Sequence, residues 1–191
     1  MRDIRTSVEQ WPLAAPFRIS RGIKTVADVV VVELHEGGHV GRGECVPYPR
    51  YGDTVESVSR QIEEVKNALA RGASRSELPG LLPPGPAMNA VDCALWDLEA
   101  ALSGSSVETM LGKVLPPVLT ALTVSLDTAD KMASAAAAMG KAALIKIKVN
   151  AEAPEACVRA VRSAAPGAAL IVDPNESWDL DLLTRMQPIL Q

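Results

Sequence analysis

The hydrophobic and polar positions divide the chain into two patterns of elements. Residues 2–11 alternate loosely, Ile4, Thr6 and Val8 against Arg5, Ser7 and Glu9, which predicts a first strand. Trp11-Pro12-Leu13-Ala14-Ala15-Pro16-Phe17 then predicts a break, because proline removes a donor and restricts the residue before it. A polar loop is expected from Arg18 to Lys24. Val29-Val30-Val31-Val32-Glu33-Leu34 reads as a strong strand, Glu36-Gly37-Gly38-His39 as a turn, and Val40 to Cys45 as its hairpin partner. Together these make a three-stranded antiparallel meander.

Helices follow. Asp53 or Thr54 is placed to cap a helix reaching Leu69, with Val55, Val58, Ile62, Val65 and Leu69 at helical spacing. Residues 79–86 are rich in Pro and Gly and punctuate the chain. Asn89 to Leu102 reads as a buried helix that ends at Ser103-Gly104, and Val107–Leu111 as a short one. From Val118 the pattern changes to strand Thr120–Leu126, helix Ala129–Gly140, strand Leu144–Val149, helix Pro154–Ala165, strand Ala169–Asp173 and helix Leu180–Leu190. This β-α-β-α-β-α order is the signature of a parallel sheet. An open doubly wound sheet and a (β/α) barrel both begin this way, and in both the functional loops sit at the carboxyl ends of the strands.

One strand carries candidate chemistry. In Leu144-Ile145-Lys146-Ile147-Lys148-Val149 the two lysines share one face and the aliphatic residues the other. Strand lysines mostly line solvated faces, but interior parallel strands are covered on both sides. Two lysines there project into a polar cavity or a barrel mouth. A desolvated lysine beside another cation has a lowered pKa and can act as a general base. Asp173 ends the next strand and Asn175 follows; the pair fits a turn or helix cap, or a carboxylate placed for Mg²⁺, which prefers oxygen ligands. A divalent ion holding a substrate carboxylate would stabilise an enediolate while a lysine removes the proton alpha to it.

Composition narrows the classes. Hydrophobic residues at 48% against 22% charged indicate a packed core, and a net charge of −4 with no basic stripe argues against a nucleic-acid partner. Cys45, Cys93 and Cys157 are widely spaced and odd in number, which fits reduced thiols in a cytoplasmic protein. The N-terminus lacks the apolar run of a signal peptide, and no stretch approaches the ~18 apolar residues of a membrane span.

Lys146-Ile147-Lys148 followed by Asp173-Pro174-Asn175-Glu176-Ser177-Trp178 resembles the muconate-lactonizing subgroup of the enolase superfamily, and within it the bacterial dipeptide epimerases that act on L-Ala-D/L-Glu. The resemblance extends to Pro16-Phe17 with Arg21-Gly22, to Gly43-Glu44-Cys45, to the run Pro47 to Gly52, and to the run Asn89 to Leu98. It implies an α+β N-terminal capping domain over residues 1–112, built on the three-stranded antiparallel sheet. Residues 113–191 would supply the first three β/α units of an incomplete (β/α)7β barrel. It implies Mg²⁺-dependent epimerisation of L-Ala-D/L-Glu type dipeptides through an enediolate, in murein peptide metabolism. Lys148 would be an acid/base lysine, Lys146 its electrostatic neighbour, Asp173 a Mg²⁺ ligand, and Asn175 an orienting residue behind it. Arg21 and Lys24 would close over the site, Arg21 meeting the substrate's glutamate side chain, and Thr123 would line the pocket.

Two features depart from the family. Pro174 stands where a small residue is usual, so the turn at Asn175 is expected to be altered. A barrel takes about 250 residues, and the segment after Val118 holds neither the further metal carboxylates nor the opposing lysine. The chain is therefore expected to be a truncated form, incompetent alone, with an open sheet edge that favours a homo-oligomer or a complementing chain. An o-succinylbenzoate synthase or a muconate cycloisomerase is the alternative enzyme, and a non-catalytic interaction fragment the alternative of another class.

Overall fold

The computed structural model describes residues 1–112 and 116–191, so the expected boundary between residues 112 and 113 touches Lys113–Leu115, outside the described residues. The chain forms two compact units, Met1–Pro12 with Val26–Pro116, and Leu13–Thr25 with Pro117–Gln191. Residues 13–25 thus group with the later part of the sequence. No helix among the described residues is long and apolar enough to cross a membrane.

Strands β1 (Asp3–Ile19), β2 (Gly22–Glu36) and β3 (His39–Cys45) form one sheet in that order. The break expected from Trp11 to Phe17 and the loop from Arg18 to Lys24 do not occur. β1 runs through Pro12 and Pro16 to Ile19, and only Ser20-Arg21 separates it from β2. The reason is position: β1 is an edge strand, where a proline facing outward removes no ladder bond. Gly37 and Gly38, at φ +59° and +81°, supply the tight turn between β2 and β3, closed by the Glu36–His39 pair.

In the first unit, helix α1 (Val55–Ala70) begins at a reciprocal cap. The Thr54 hydroxyl accepts the Ser57 N–H and Ser57 Oγ accepts the Thr54 N–H. Helix α2 (Pro86–Ser103) has proline in its first turn and left-handed Gly104 at its end. A short α3 (Val107–Met110) follows. Val30, Val32 and Leu34 of β2 form one core with Val58, Ile62 and Leu69 of α1 and Ala90, Ala94 and Leu98 of α2. Gly41 and Gly43 of β3 lie directly against the α2 backbone, with no room for a Cβ at either position. Cys45, Cys93 and Cys157 are free thiols. Burial pushes the Cys45 thiol up to about 11, so it is inert core at neutral pH.

The second unit contains β4 (Leu122–Val124), α4 (Ala129–Ala138), β5 (Leu144–Lys148), α5 (Pro154–Ala164), β6 (Ala169–Asp173) and α6 (Leu180–Leu190). β4 is shorter at both ends than the expected Thr120–Leu126, and past its carboxyl end the Leu126 N–H bonds the Arg18 carbonyl at 3.1 Å. The strands are parallel and stand in sequence order, β4-β5-β6. Val124, Ile145, Ile147 and Val149 pack with Met132 and Ala136 of α4, Val158 and Val161 of α5, and Met186 of α6 in a single core. All three helices therefore serve one face of the sheet, with no reversal of strand order. That is the winding of the first units of a (β/α) barrel, which one half of a doubly wound sheet shares. The other face carries Thr123, Lys146 and Ile171 in register, with Lys148 beside Asp173 at the carboxyl ends.

Candidate active site

Strand geometry assembles the site. Lys146 and Lys148 sit two residues apart on β5 and point to the same face, and Asp173 pairs in register with Lys148 from β6. Both ammonium groups reach Asp173 Oδ2, each at 2.7 Å. Lys148 is 6% exposed, the one buried polar or charged residue among those described. Lys148 Nζ also donates to Asn175 Oδ1 at 2.9 Å, and the Phe17 ring centre lies 5.8 Å from it. A buried ammonium without partners would be strongly disfavoured, and these contacts stabilise its charge.

Burial alone would raise the Asp173 pKa. Hydrogen bonds from Lys146 and Lys148, the Asn175 N–H at 2.9 Å and the Lys148 charge outweigh it, holding the carboxyl well below the usual carboxylate range. The native pKa is thus below the unfolded value of about 3.9. The stabilisation is present in full well above about pH 4 and is lost progressively as pH falls from there through the lower native value. A ¹³Cγ titration should show Asp173 still ionised at about pH 3. An inflection near the unfolded value would contradict the arrangement.

The turn after β6 is unusual. Asn175 and Glu176 have φ of +47° and +67°, the left-handed region that side chains other than glycine rarely adopt. Pro174 does not itself take this conformation; the residues after it do, and Ser177 returns both its N–H and its hydroxyl to the Pro174 carbonyl. The hairpin tip meets this turn. Arg21 Nη1 donates to the Asn175 carbonyl at 2.7 Å and faces Glu176 at 3.4 Å, and Ser20 Oγ donates to the same carbonyl at 3.2 Å.

The structure thus brings Lys146, Lys148, Asp173, Asn175 and Arg21 together. Thr123 shares their face, opposite Lys146 in register, and is exposed. Lys24 lies on β2, three residues beyond Arg21, and is exposed. Sequence reasoning gave no role to Ser20, Phe17 or Glu176, although Phe17 and Glu176 stand within motifs it had singled out and Ser20 adjoins Arg21. A groove of about 800 Å³ lies beside the tip, lined by Arg18, Asp127, Asn150, Glu152 and Cys157 among others; Lys146, Lys148 and Asp173 are not part of its lining.

Asp173 has the oxygen chemistry and strand-end position of a Mg²⁺ ligand. Yet its Oδ2 is shared by two ammonium groups and its Oδ1 by an amide, and no three His, Cys, Asp or Glu side chains converge among the described residues. Asp173 is thus one oxygen ligand of the several that Mg²⁺ takes, and the described residues alone do not complete its shell.

Comparison with known proteins shows the family. Residues 1–112 match the mandelate racemase / muconate lactonizing enzyme N-terminal domain. The chain is 47% identical over 181 residues to the L-Ala-D/L-Glu epimerase of Escherichia coli (strain K12), covering 93% of this chain and 56% of that protein. It is 36% identical over 152 residues to an N-acetyl-D-glutamate racemase from Pseudoalteromonas sp, covering 78% and 48%. It superposes with a TM-score of 0.92 on an enolase family member from Agrobacterium tumefaciens solved with sodium and L-Ala-L-Glu, at 44% identity and covering 99% of this chain and 60% of that one. A dipeptide epimerase from Cytophaga hutchinsonii complexed with Mg and D-Ala-L-Val gives 0.84 at 28% identity, covering 98% and 56%. The chain spans about half the length of the curated relatives it matches. It belongs to the mandelate racemase / muconate lactonizing enzyme family of the enolase superfamily, whose members similar to it include dipeptide epimerases.

Proposed function

We propose that Lys146, Lys148 and Asp173 form one wall of a Mg²⁺-dependent dipeptide epimerase site for L-Ala-D/L-Glu type substrates, serving murein peptide metabolism in the cytoplasm. The observation that carries this reading is the buried Lys148 ammonium, paired with Asp173 at the carboxyl ends of adjacent parallel strands. The likeness to the E. coli epimerase supports the substrate class. Lys148, once neutral, would take the proton from the alpha carbon next to the substrate's terminal carboxylate, and as ammonium would return it to the same face. Lys146 would keep a positive charge beside it. Arg21 would exchange Glu176 for the carboxylate of the substrate's glutamate side chain, with Lys24 flanking and Thr123 lining the pocket. Asp173 would contribute one metal ligand, held in orientation by Asn175; magnesium in the site would polarise the substrate carboxylate.

One lysine serves one face, so these 191 residues by themselves would not invert the centre. The test is deuterium incorporation from D₂O at the glutamate alpha carbon of L-Ala-L-Glu. It uses a polypeptide in which residues 1–191 are continued by the part of the E. coli relative that lies beyond the match. Mg²⁺-dependent exchange there, with no L-Ala-D-Glu formed by the 191 residues alone, supports the reading. Absence of exchange in the continued polypeptide overturns the assignment, and epimer formed by the 191 residues alone overturns the one-wall geometry.

A further inference from the structure

The left-handed turn at Asn175-Glu176 is closed from within by Ser177 on the Pro174 carbonyl, and Asn tolerates such a φ better than Glu does, yet the hairpin tip adds a second hold from outside the turn. Three polar atoms of Asn175 are engaged. Its N–H goes to Asp173 Oδ1, its Oδ1 accepts Lys148 Nζ, and its carbonyl accepts both Ser20 Oγ and Arg21 Nη1. The direction of Oδ1 toward Lys148 is therefore fixed by the same peptide that the hairpin tip grips. The two donors at the carbonyl differ. Arg21 also faces Glu176 and, in the proposed function, turns to a substrate carboxylate. Ser20 is half-buried and holds Asn175 through a short side chain that has no second task.

We infer that Ser20 is a positioning residue for Lys148, acting through the backbone carbonyl of Asn175. When Arg21 engages a substrate, Ser20 is the donor that stays on the turn and keeps Asn175 Oδ1 aimed at Lys148 Nζ. The catalytic meaning of this hold rests on the epimerase reading, but the geometry and its test do not.

The test compares Lys148 with Lys146 in the 191-residue chain carrying Arg21→Ala, which stands for Arg21 drawn away to a substrate and serves as the parent, so that Ser20 is the hairpin-tip donor left on the Asn175 carbonyl. Each variant is treated with an amine-acylating ester at one fixed pH, and the modification rates of the two lysines are read by peptide mass spectrometry. Lys146 contacts Asp173 but not Asn175 Oδ1, so the Lys148:Lys146 ratio reports the Asn175 hold rather than general loosening. Ser20→Ala should raise the ratio about fivefold, the factor expected for one lost hydrogen bond. Ser20→Thr, which keeps the hydroxyl, should leave it near the parent value. Asn175→Gly tolerates the left-handed backbone and removes the Oδ1 acceptor, so it should raise the ratio by itself, and adding Ser20→Ala to it should change nothing more. An unchanged ratio in Ser20→Ala, a Ser20→Thr chain that behaves like it, or a further rise in the double variant overturns the inference. No turnover is needed, so failure here leaves the deuterium-exchange test of function standing, and the reverse holds.

Discussion

Replacing Gly43 with alanine is expected to unfold the first unit or to bring it close to unfolding. A Cβ at this position would lie 2.6 Å from the Ala94 amide nitrogen and 3.0 Å from Cys93 Cβ, with the Ala90 carbonyl oxygen nearer still. Two of these three atoms are α2 backbone, so no rotamer change relieves the contact. β3 and α2 would have to separate, yet Cys45 of β3 and Ala90 and Ala94 of α2 share one closed core. Overpacking costs about 1–3 kcal/mol where neighbours can yield. Here they cannot, and a loss of about 3 kcal/mol or more is expected, a large share of the stability of a typical domain. Urea denaturation of Gly43→Ala beside Gly80→Ala checks this, since nothing lies within 4 Å of a Cβ at Gly80. Gly80→Ala should remain within about 0.5 kcal/mol of the parent. Equal midpoints for the two variants would contradict the close approach.

Much of this architecture can be read from residue order. Asp53 or Thr54 marks the start of α1, and the structure selects Thr54; Gly37-Gly38 marks the tight turn, and the alternation of Lys146 and Lys148 with Ile145 and Ile147 the face on which a site lies. Four features resist such reading. Pro12 and Pro16 signal a break unless the strand is known to be an edge, and that is a property of the sheet rather than of the segment. Gly41 and Gly43 alternate along β3, a local hint of backbone contact, but the helix they touch begins more than forty positions later at Pro86. The grip of Ser20 and Arg21 on the Asn175 carbonyl joins residues 155 and 154 positions apart, and no local pattern announces it. Barrel and doubly wound sheet can share their first three β/α units, and the likeness to a solved enolase family member selects the partial barrel.

Lys148→Ala is the second large effect, and it falls on chemistry rather than stability. Asp173 keeps Lys146 at 2.7 Å as its counter-ion, so the variant leaves no buried carboxylate unpaired and is expected to fold. What it removes is the group that would move the substrate's proton on one face. General acid–base catalysis by a positioned side chain contributes about 10²–10⁴ in rate, and a loss of about 10³ is expected. Because a single lysine addresses a single face, that loss should be confined to one epimer of the substrate.

That asymmetry gives the most direct measurement of the central claim. Residues 1–191, continued by the remaining part of the E. coli relative, are assayed in D₂O with L-Ala-L-Glu and, separately, with L-Ala-D-Glu, in the parent and in Lys148→Ala. The expected result is deuterium exchange about 10³-fold slower from one epimer and near the parent rate from the other, with interconversion of the two abolished. Exchange lost equally from both epimers, or retained from both, would contradict the assignment of Lys148 to one wall of the site.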